Sequence, residues 1–309
     1  MRTRDHEELA PLVNLADITE IELVILKRMR ELTLGDHRSR SQGSGFDFQG
    51  LREWQAGDKF SYIDWAQSSL NNFSPLVIRE FEQQSTATVM PIADFSPSTR
   101  CGMGGVPIAA AITRAIATIG MSANFFQDPF GLVTFDRGFE HLAALRPRLG
   151  KSHVVHCVDA YQFERGLQHV KRSGSISTSL GGFVRRHAML PIISDFLFDD
   201  VEDVIRELSL LALTHDVFLL LIDSAFAFDL PNVSAGWIEI SDVETGRTRT
   251  VSRRQYMKLA DRARDWQASV QRLAKDKDLD VVVIGLDQAK TDIALSEFVV
   301  ERRLRKTHE

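Results

Sequence analysis

Cysteine is scarce in this sequence. The 309 residues include only two cysteines, Cys101 and Cys157, which lie far apart and form no Cys-x-x-Cys pair. A disulfide framework and a cysteine-based zinc site are therefore not expected, and a reducing compartment is the expected environment. The nine histidines contain no His-x-x-x-His pair, so the sequence predicts no histidine zinc site either.

Long hydrophobic runs are also missing. No uncharged apolar stretch approaches the roughly 18 residues that a membrane-spanning helix needs. The nearest candidate, residues 106–123, is interrupted by Arg114. Residues 1–10 are charged where a secretory signal peptide requires an apolar segment. We therefore expect a soluble cytoplasmic protein with no membrane span.

Neither the charge nor the glycine pattern indicates a nucleic-acid or nucleotide ligand. The net charge is -5 and the isoelectric point is about 6.0, which gives no global attraction to nucleic acid. The glycine-rich stretch at residues 102–105 lacks the Lys-Ser/Thr of a P-loop. We predict no nucleotide-binding site, and any ATPase activity should belong to a partner.

What the sequence does contain is a βαβ pattern. With 44% hydrophobic and 26% charged residues, the composition is that of a globular protein. Short β-branched apolar runs alternate with amphipathic segments, which is typical of a mostly parallel sheet with helices on both faces. The predicted strands are residues 87–93, 130–135, 189–193, 217–222 and 281–285. The predicted helices between them are residues 104–121, 199–213 and 253–276.

The segment before this pattern differs. Asp17-x-x-Glu20 suggests a capping box ahead of apolar residues at helical spacing, which predicts a helix over residues 18–33. Residues 43–82 are rich in glycine and aromatic side chains, which predicts a small β-rich module.

These patterns define a predicted domain organisation. Residues 1–84 form an N-terminal helix and β-rich module, and residues 85–309 form the sheet domain. Two alternating segments on either side of Glu244-Thr245-Gly246 predict a β-hairpin insertion near residues 232–252.

Carboxylate and hydroxyl side chains follow two of the predicted strands. Asp94, Ser96 and Ser98 lie where the first strand ends, and Asp195 follows the strand at 189–193. Because the carboxyl ends of parallel strands meet at one edge of an open sheet, these loops are expected to converge. Thr178, before a predicted helix, offers a third hydroxyl, with Ser177 and Ser179 as alternatives.

This set of oxygens predicts a site for a divalent metal. Mg²⁺ prefers octahedral oxygen ligation with one or two carboxylates and several waters. The predicted ligands are Asp94, Ser96, Ser98, Thr178 and Asp195, and the predicted ion is Mg²⁺ or another divalent cation such as Mn²⁺ or Ca²⁺. Taken alone, an Asp-x-Ser-x-Ser string more often caps a helix, and the second strand-end aspartate is what favours the metal.

Several motifs along the chain resemble the bacterial family known as "domain of unknown function 58". The resemblance covers about residues 35–304. The residues that carry it are Gly43-Ser44-Gly45-Phe46-Asp47-Phe48, Leu51-Arg52-Glu53-Trp54, Gly57-Asp58, Ile63-Asp64-Trp65, Val77-x-Arg79-Glu80-Phe81-Glu82, Asp94-x-Ser96-x-Ser98, Gly131-Leu132-Val133, Thr178-Ser179-Leu180, Ser194-Asp195-Phe196 and Asp292-x-x-x-Leu295-x-x-Phe298-x-x-x-Arg302.

The family resemblance implies a domain class, a type of metal site and a partner. In that family the second half resembles a von Willebrand factor A domain, the Asp-x-Ser-x-Ser loop resembles its metal-ion-dependent adhesion site, and members are often associated with MoxR-type AAA+ ATPases. This chain departs from the family at Ser61 and at Ser69-Leu70, where basic residues are usual. It also lacks the N-terminal membrane spans of many relatives.

Three functions are compatible with these residues. The first is a metal-dependent binding module without a catalytic residue, in which the metal accepts a carboxylate from a protein partner. The family resemblance implies a MoxR-type AAA+ ATPase as that partner. The second is a metal-dependent phosphatase or hydrolase using Asp94, which is disfavoured because Ser96 stands where such phosphatases carry a second aspartate. The third is a metal-free structural adaptor.

Overall fold

The structure, a computed structural model, describes most of the chain. The described residues are 11–36, 46–55, 63–70, 73–83, 87–103, 106–136, 139–184, 187–228, 237–241 and 247–305. The strands are β1 (Phe46–Glu53), β2 (Val77–Gln83), β3 (Thr88–Val89), β4 (Ile92–Asp94), β5 (Gly102–Met103), β6 (Val106–Pro107), β7 (Phe130–Asp136), β8 (His141–Arg148), β9 (Gln168–Val170), β10 (Ala188–Ser194), β11 (Asp216–Ile222), β12 (Trp237–Ser241), β13 (Thr248–Ser252) and β14 (Asp280–Ile284). The helices are α1 (Leu15–Asp36), α2 (Trp65–Leu70), α3 (Ile108–Phe125), α4 (Lys151–Phe163), α5 (Ile176–Leu180), α6 (Val201–Leu211), α7 (Ala225–Phe228), α8 (Arg253–Asp276) and α9 (Gln288–Arg305).

An eight-stranded sheet forms the centre of the fold. Its order is β14-β11-β10-β3-β7-β8-β9, and β4 also pairs with β10 and β7, so it prolongs β3. The pairs from β14 to β7 are parallel, whereas β8 and β9 add an antiparallel edge. The predicted mostly parallel α/β sheet is confirmed. The first predicted strand is divided into β3 and β4 at Pro91, which has no N–H to donate to a ladder.

Alternate strand residues point into two hydrophobic cores. On β11, Phe218 and Leu220 join one core while Leu219 and Leu221 join the other. The first core lies beneath α1, α3, α4 and α9, and the second beneath α5, α6 and α8. Helices therefore cover both faces of the sheet, and its strand ends are reached from both sides.

The predicted helices are present with shifted ends. Helix α8 begins at the predicted residue because Ser252 and Gln255 form a capping box. The capping box predicted at Asp17 and Glu20 is wrong. Asn14 caps α1 instead, since its Oδ1 accepts from the backbone N–H groups of Ala16 and Asp17 at 2.8 and 3.0 Å, and Asp17 Oδ2 accepts from the Asn14 N–H at 2.8 Å.

The residues before the sheet contain a two-stranded ribbon. Strands β1 and β2 pair antiparallel, and Ser68 in α2 bonds to the backbone of Val77. The side chains of Ile18, Ile21 and Ile25 in α1 belong to the first core of the sheet. Residues 43–45, 56–62 and 71–72 of the predicted β-rich module lie outside the described residues, and its independence and the boundary at residue 84 stay predictions. Strands β12 and β13 pair antiparallel within the region where the hairpin was predicted.

Helix α3 is the one described helix with the length and apolar composition of a membrane span. In the folded protein 78% of it is buried against other parts of the chain. Its apolar face packs against α1, α4 and α9.

Helix α9 is attached to the rest of the fold by buried ion pairs. Arg303 donates to Asp128 in a bidentate pair at 2.8 and 3.2 Å, and Arg114 of α3 pairs with Asp292 at 2.6 Å. Arg302 pairs with Asp216 at 2.7 Å and lies over the ring of Phe218. Asp292 and Arg302, which carry part of the family resemblance, thus have a structural role.

Candidate functional site

Asp94 is the last residue of β4, in the middle of the sheet. Its side chain is 2% exposed and lies on the same face as Ile92, which belongs to the second core. The sequence predicted a residue on an open loop, whereas the structure places it in the strand and buries it. The next strand is in register such that Ile193 faces Ala93, which brings Ser194 beside Asp94.

Hydroxyl groups surround the Asp94 carboxylate. Its Oδ1 accepts from the backbone N–H of Ser96 at 2.9 Å and from Ser96 Oγ at 2.7 Å, and its Oδ2 accepts from Ser194 Oγ at 2.6 Å. Ser96 Oγ lies 2.9 Å from Ser98 Oγ. The short 3₁₀ helix Pro97–Arg100 holds this loop, because Thr99 bonds back to the Ser96 carbonyl. Asp94, Ser96 and Ser98 therefore form one connected cluster.

Asp195 lies at the same edge of the sheet, directly after β10. It is 4% exposed, and its Oδ1 accepts from the N–H of Leu197 at 3.0 Å. Gln267 of α8 holds the loop that follows β10. Its Nε2 donates to the carbonyls of Asp195 and Ile222, and its Oε1 accepts from the N–H of Ser224. One glutamine side chain thus connects the ends of β10 and β11.

Thr178 bonds to a residue of its own helix end rather than to this cluster. It lies exposed in α5, where its Oγ1 is 3.0 Å from Ser175 Oγ and its N–H donates to the same hydroxyl. Within the described residues its side chain makes no hydrogen bond to Asp94, Ser96 or Ser98. Its place among the metal ligands stays a prediction.

Ser194 and Tyr161 were not among the predicted site residues. Ser194 bridges Asp94 and the N–H of Phe196, and Tyr161 of α4 donates to the Asp94 carbonyl at 2.7 Å. The strand register alone reveals Ser194. The helical spacing of Val154, Cys157, Val158 and Tyr161, all buried, is the signal that would find α4 and its tyrosine.

Burial dominates the electrostatics of the cluster. It raises the pKa of Asp94 above the ordinary 3.8, although the hydrogen bonds from Ser194 and Ser96 act in the opposite direction, and the charge of Asp136 adds to the increase. Burial, followed by the negative charges of Asp94 and Asp195, raises the pKa of Tyr161 well above its ordinary value. Tyr161 is therefore a neutral hydrogen-bond donor at physiological pH.

Asp94 differs in its partners from three other buried aspartates. Asp128, Asp216 and Asp292 each form an ion pair with an arginine. Among the described residues no lysine or arginine forms an ion pair with Asp94, whose bonds come from hydroxyl and amide groups. Buried charges in proteins are normally paired or coordinate a metal, which makes the Asp94 carboxylate the candidate position for a cation.

The donor set fits a small divalent cation. In an octahedron with bonds of 2.0–2.1 Å, adjacent oxygens lie about 2.8–3.0 Å apart. The Ser96 and Ser98 hydroxyl oxygens are 2.9 Å apart, and Ser96 Oγ is 2.7 Å from the Asp94 carboxylate. These are also ordinary O–H···O hydrogen-bond lengths, and they bring three oxygens, the donor type that hard divalent cations take, within reach of one ion.

Lowering the pH is expected to weaken metal binding at a higher pH than it would at an exposed aspartate. A metal competes with the proton on Asp94, and burial raises the pKa of that carboxyl, so affinity for Mg²⁺ should begin to fall at a higher pH than for an exposed aspartate. Below that pKa the loss approaches about tenfold per pH unit for one proton. Calorimetric titration with Mg²⁺ from neutral pH downwards measures this, and an affinity that stays constant down to the ordinary aspartate pKa would contradict it.

Replacing Gln267 is expected to loosen the site. Gln267→Met leaves the Ser224 N–H and the Asp195 and Ile222 carbonyls without this buried partner, which costs about 1–3 kcal/mol for each group left unsatisfied. We expect a lower free energy of unfolding in denaturant and, because the Asp195 loop shifts, about tenfold weaker Mg²⁺ binding. Gln271→Met, on the exposed face of the same helix, is the matched control. Equal behaviour of the two variants would show that Gln267 does not support the site.

Comparison with known proteins assigns a family without a known activity. One similar structure is an aerotolerance-related membrane protein from Bacteroides fragilis, with a TM-score of 0.44 and 12% sequence identity; the match covers 71% of this chain and 99% of that one. A second is the conserved hypothetical protein BatB from Bacteroides thetaiotaomicron, with a TM-score of 0.41, 12% identity and the same coverage. The pilus adhesin SpaC from Lactobacillus rhamnosus GG is a third (TM-score 0.38, 10% identity, 73% of this chain and 31% of that one). No curated protein matches this sequence. Residues 50–279 match the family described as "Protein of unknown function DUF58", and the chain therefore belongs to that family.

Proposed function

We propose that this protein is a metal-dependent protein-binding module. A Mg²⁺ or Mn²⁺ ion would be held by Asp94, Ser96 and Ser98, with Asp195 and Thr178 as further candidates. The observation that carries the proposal is the Asp94 carboxylate, which is 2% exposed and hydrogen-bonded by neutral groups alone among the described residues. A cation there would compensate the buried charge.

The chemistry of the donors explains why the ion would recruit a partner. Two neutral hydroxyls and one carboxylate leave the ion with net positive charge, so a carboxylate from another protein can complete its coordination. The finer assignment of the sheet to the von Willebrand A class is part of this proposal. So is a MoxR-type AAA+ ATPase as the partner, which rests on the family resemblance.

An enzymatic role for Asp94 is less well supported. A nucleophilic aspartate needs an oxygen that a substrate can approach. Here Oδ1 already accepts two hydrogen bonds from Ser96 and Oδ2 accepts one from Ser194, in a side chain that is almost fully buried. An aspartate in this position is poorly placed for nucleophilic attack on a substrate.

A pull-down from native lysate tests the proposal. The double variant Ser96→Ala/Ser98→Ala removes both hydroxyls and keeps the carboxylate, so we expect it to recover the partner no better than the wild-type protein does in chelator. Ser269→Ala, an exposed serine of α8 that bonds to Asp265 within its own helix, should recover the partner normally. The same partner recovered equally from every sample, chelator included, would exclude the metal and leave the structural adaptor.

A further inference from the structure

An apolar pocket is lined in part by Phe95, Thr99 and Arg100, which flank Ser96 and Ser98 in the chain. Its volume is about 240 Å³, and its walls include Leu12, Phe95, Pro107, Ala109 and Phe163, with Arg100 at its edge. Pockets for cofactors and drug-sized ligands have volumes of about 300–1,000 Å³. This pocket is smaller and suits a single bulky side chain.

The segment 95–100 contributes to both the pocket and the cluster. Phe95, Thr99 and Arg100 line the pocket, whereas Ser96 and Ser98 join Asp94. Tyr161 also takes part in both, since its ring packs edge-to-face on Phe95 at 5.4 Å and its hydroxyl bonds to the Asp94 carbonyl. The pocket and the hydroxyls therefore share one segment of six residues, each spanning about 3.3–3.6 Å when extended.

The charge beside the pocket complements an acidic segment. The Arg100 side chain is 48% exposed, lies over the Phe95 ring at 5.6 Å and pairs with the exposed Glu164. Such an exposed pair contributes little to stability, so Arg100 can exchange Glu164 for a partner's carboxylate. Together with a cation at the serines, Arg100 gives this face two groups that attract anions.

We infer that the pocket receives a bulky apolar side chain from the same partner segment that presents a carboxylate to the Asp94 site. The recognised motif is an aspartate or glutamate with Leu, Ile, Met or Phe within about six residues, the length of the shared segment. This inference rests on the proposed function, because it assigns the second half of the recognition to a neighbouring site.

Selection from a random peptide library displayed on phage tests the motif. Wild-type protein in Mg²⁺ should enrich peptides that combine an acidic and a bulky apolar residue. Ala109→Leu fills the pocket and should reduce the apolar preference at least about tenfold while keeping the acidic one. Ala110→Leu, next to it on α3 but not lining the pocket, should leave both preferences unchanged. Leu12→Ala should shift the preference to larger side chains, which guards against a folding defect in Ala109→Leu.

The outcomes separate the two proposals. Wild-type selection without an apolar preference, or with one that Ala109→Leu leaves intact, overturns the pocket assignment. An acidic preference that disappears in chelator supports the metal site whatever happens at the pocket. An apolar preference that responds to Ala109→Leu, beside an acidic preference that ignores chelator, upholds the pocket and rejects the metal.

Discussion

Asp94→Asn is expected to abolish Mg²⁺ binding and to make the metal-free protein more stable at neutral pH. The variant keeps an acceptor for the Ser96 groups and offers an amide to Ser194, so the hydrogen bonds around the residue can persist. The charge that attracts the cation is lost. Because loss of a residue that merely supports a ligand costs about 10–100-fold in metal affinity, we expect more than about 100-fold here.

The stability of the metal-free variant follows from the sign of the pKa shift. The pKa of Asp94 is higher in the folded protein than in the unfolded chain, because burial disfavours the ionised form. The free energy of unfolding therefore falls as the pH rises from the pKa of the unfolded chain to the raised pKa of the folded protein. Asparagine carries no charge and escapes this cost. The melting temperature without metal should therefore be higher than that of the wild-type protein at neutral pH.

Thermal melting with and without Mg²⁺ measures both effects. A ligand at 100 times its Kd stabilises the wild-type fold by about 2.7 kcal/mol, and this increment should be absent in Asp94→Asn. Asp203→Asn, an exposed aspartate of α6 paired with Arg206, should keep it. A Mg²⁺-dependent increase of equal size in Asp94→Asn would show that this carboxylate does not bind the ion.

Arg303→Met is expected to lower the free energy of unfolding by about 3–5 kcal/mol, the usual cost of removing one member of a buried ion pair. Its partner Asp128 is 2% exposed and would keep a buried charge, with the hydrogen bond from the Ala87 N–H left to it. The pair also connects α9 to the start of the sheet, so its loss should loosen the packing of that helix.

Denaturant unfolding with a second substitution tests the cause. Asp128→Asn added to Arg303→Met removes the unpaired charge and keeps an acceptor for Ala87, so the double variant should regain part of the lost stability. Arg206→Met breaks an exposed pair and should cost less than about 1 kcal/mol. A double variant less stable than Arg303→Met alone would refute the buried-charge explanation.

Much of the sheet could be predicted from sequence because its strands are buried on both faces. The runs that became β7, β10 and β11 are continuous and apolar, and the two cores draw on alternate residues of each. The antiparallel edge strand β8 was not predicted. It alternates buried residues such as Leu142 with exposed ones such as His141 and ends near Pro147, so its pattern is short and mixed.

The candidate site was predictable in part for the same reason. A polar residue at the end of a buried run is visible in the sequence, which is why Asp94 and Asp195 were found. Ser194 differs, because its role depends on which residue of the neighbouring strand it faces, and that register is a property of the assembled sheet. The start of helix α1 could not be predicted either. Asn14 and Asp17 are both residue types that cap helices, and only the hydrogen bonds in the folded protein show that Asn14 is the cap.

The sequence by itself determined the βαβ order, the two strand ends that carry carboxylates and the family to which the chain belongs. These features depend on short-range apolar periodicity and on motifs that are contiguous in the chain. Only the tertiary structure decided that Asp94 is buried, that Ser194 and Tyr161 bond to it, and that an apolar pocket lies beside the serines. Burial, register and cavities arise from contacts between segments far apart in the chain, and such contacts leave no periodic signal in any one of them.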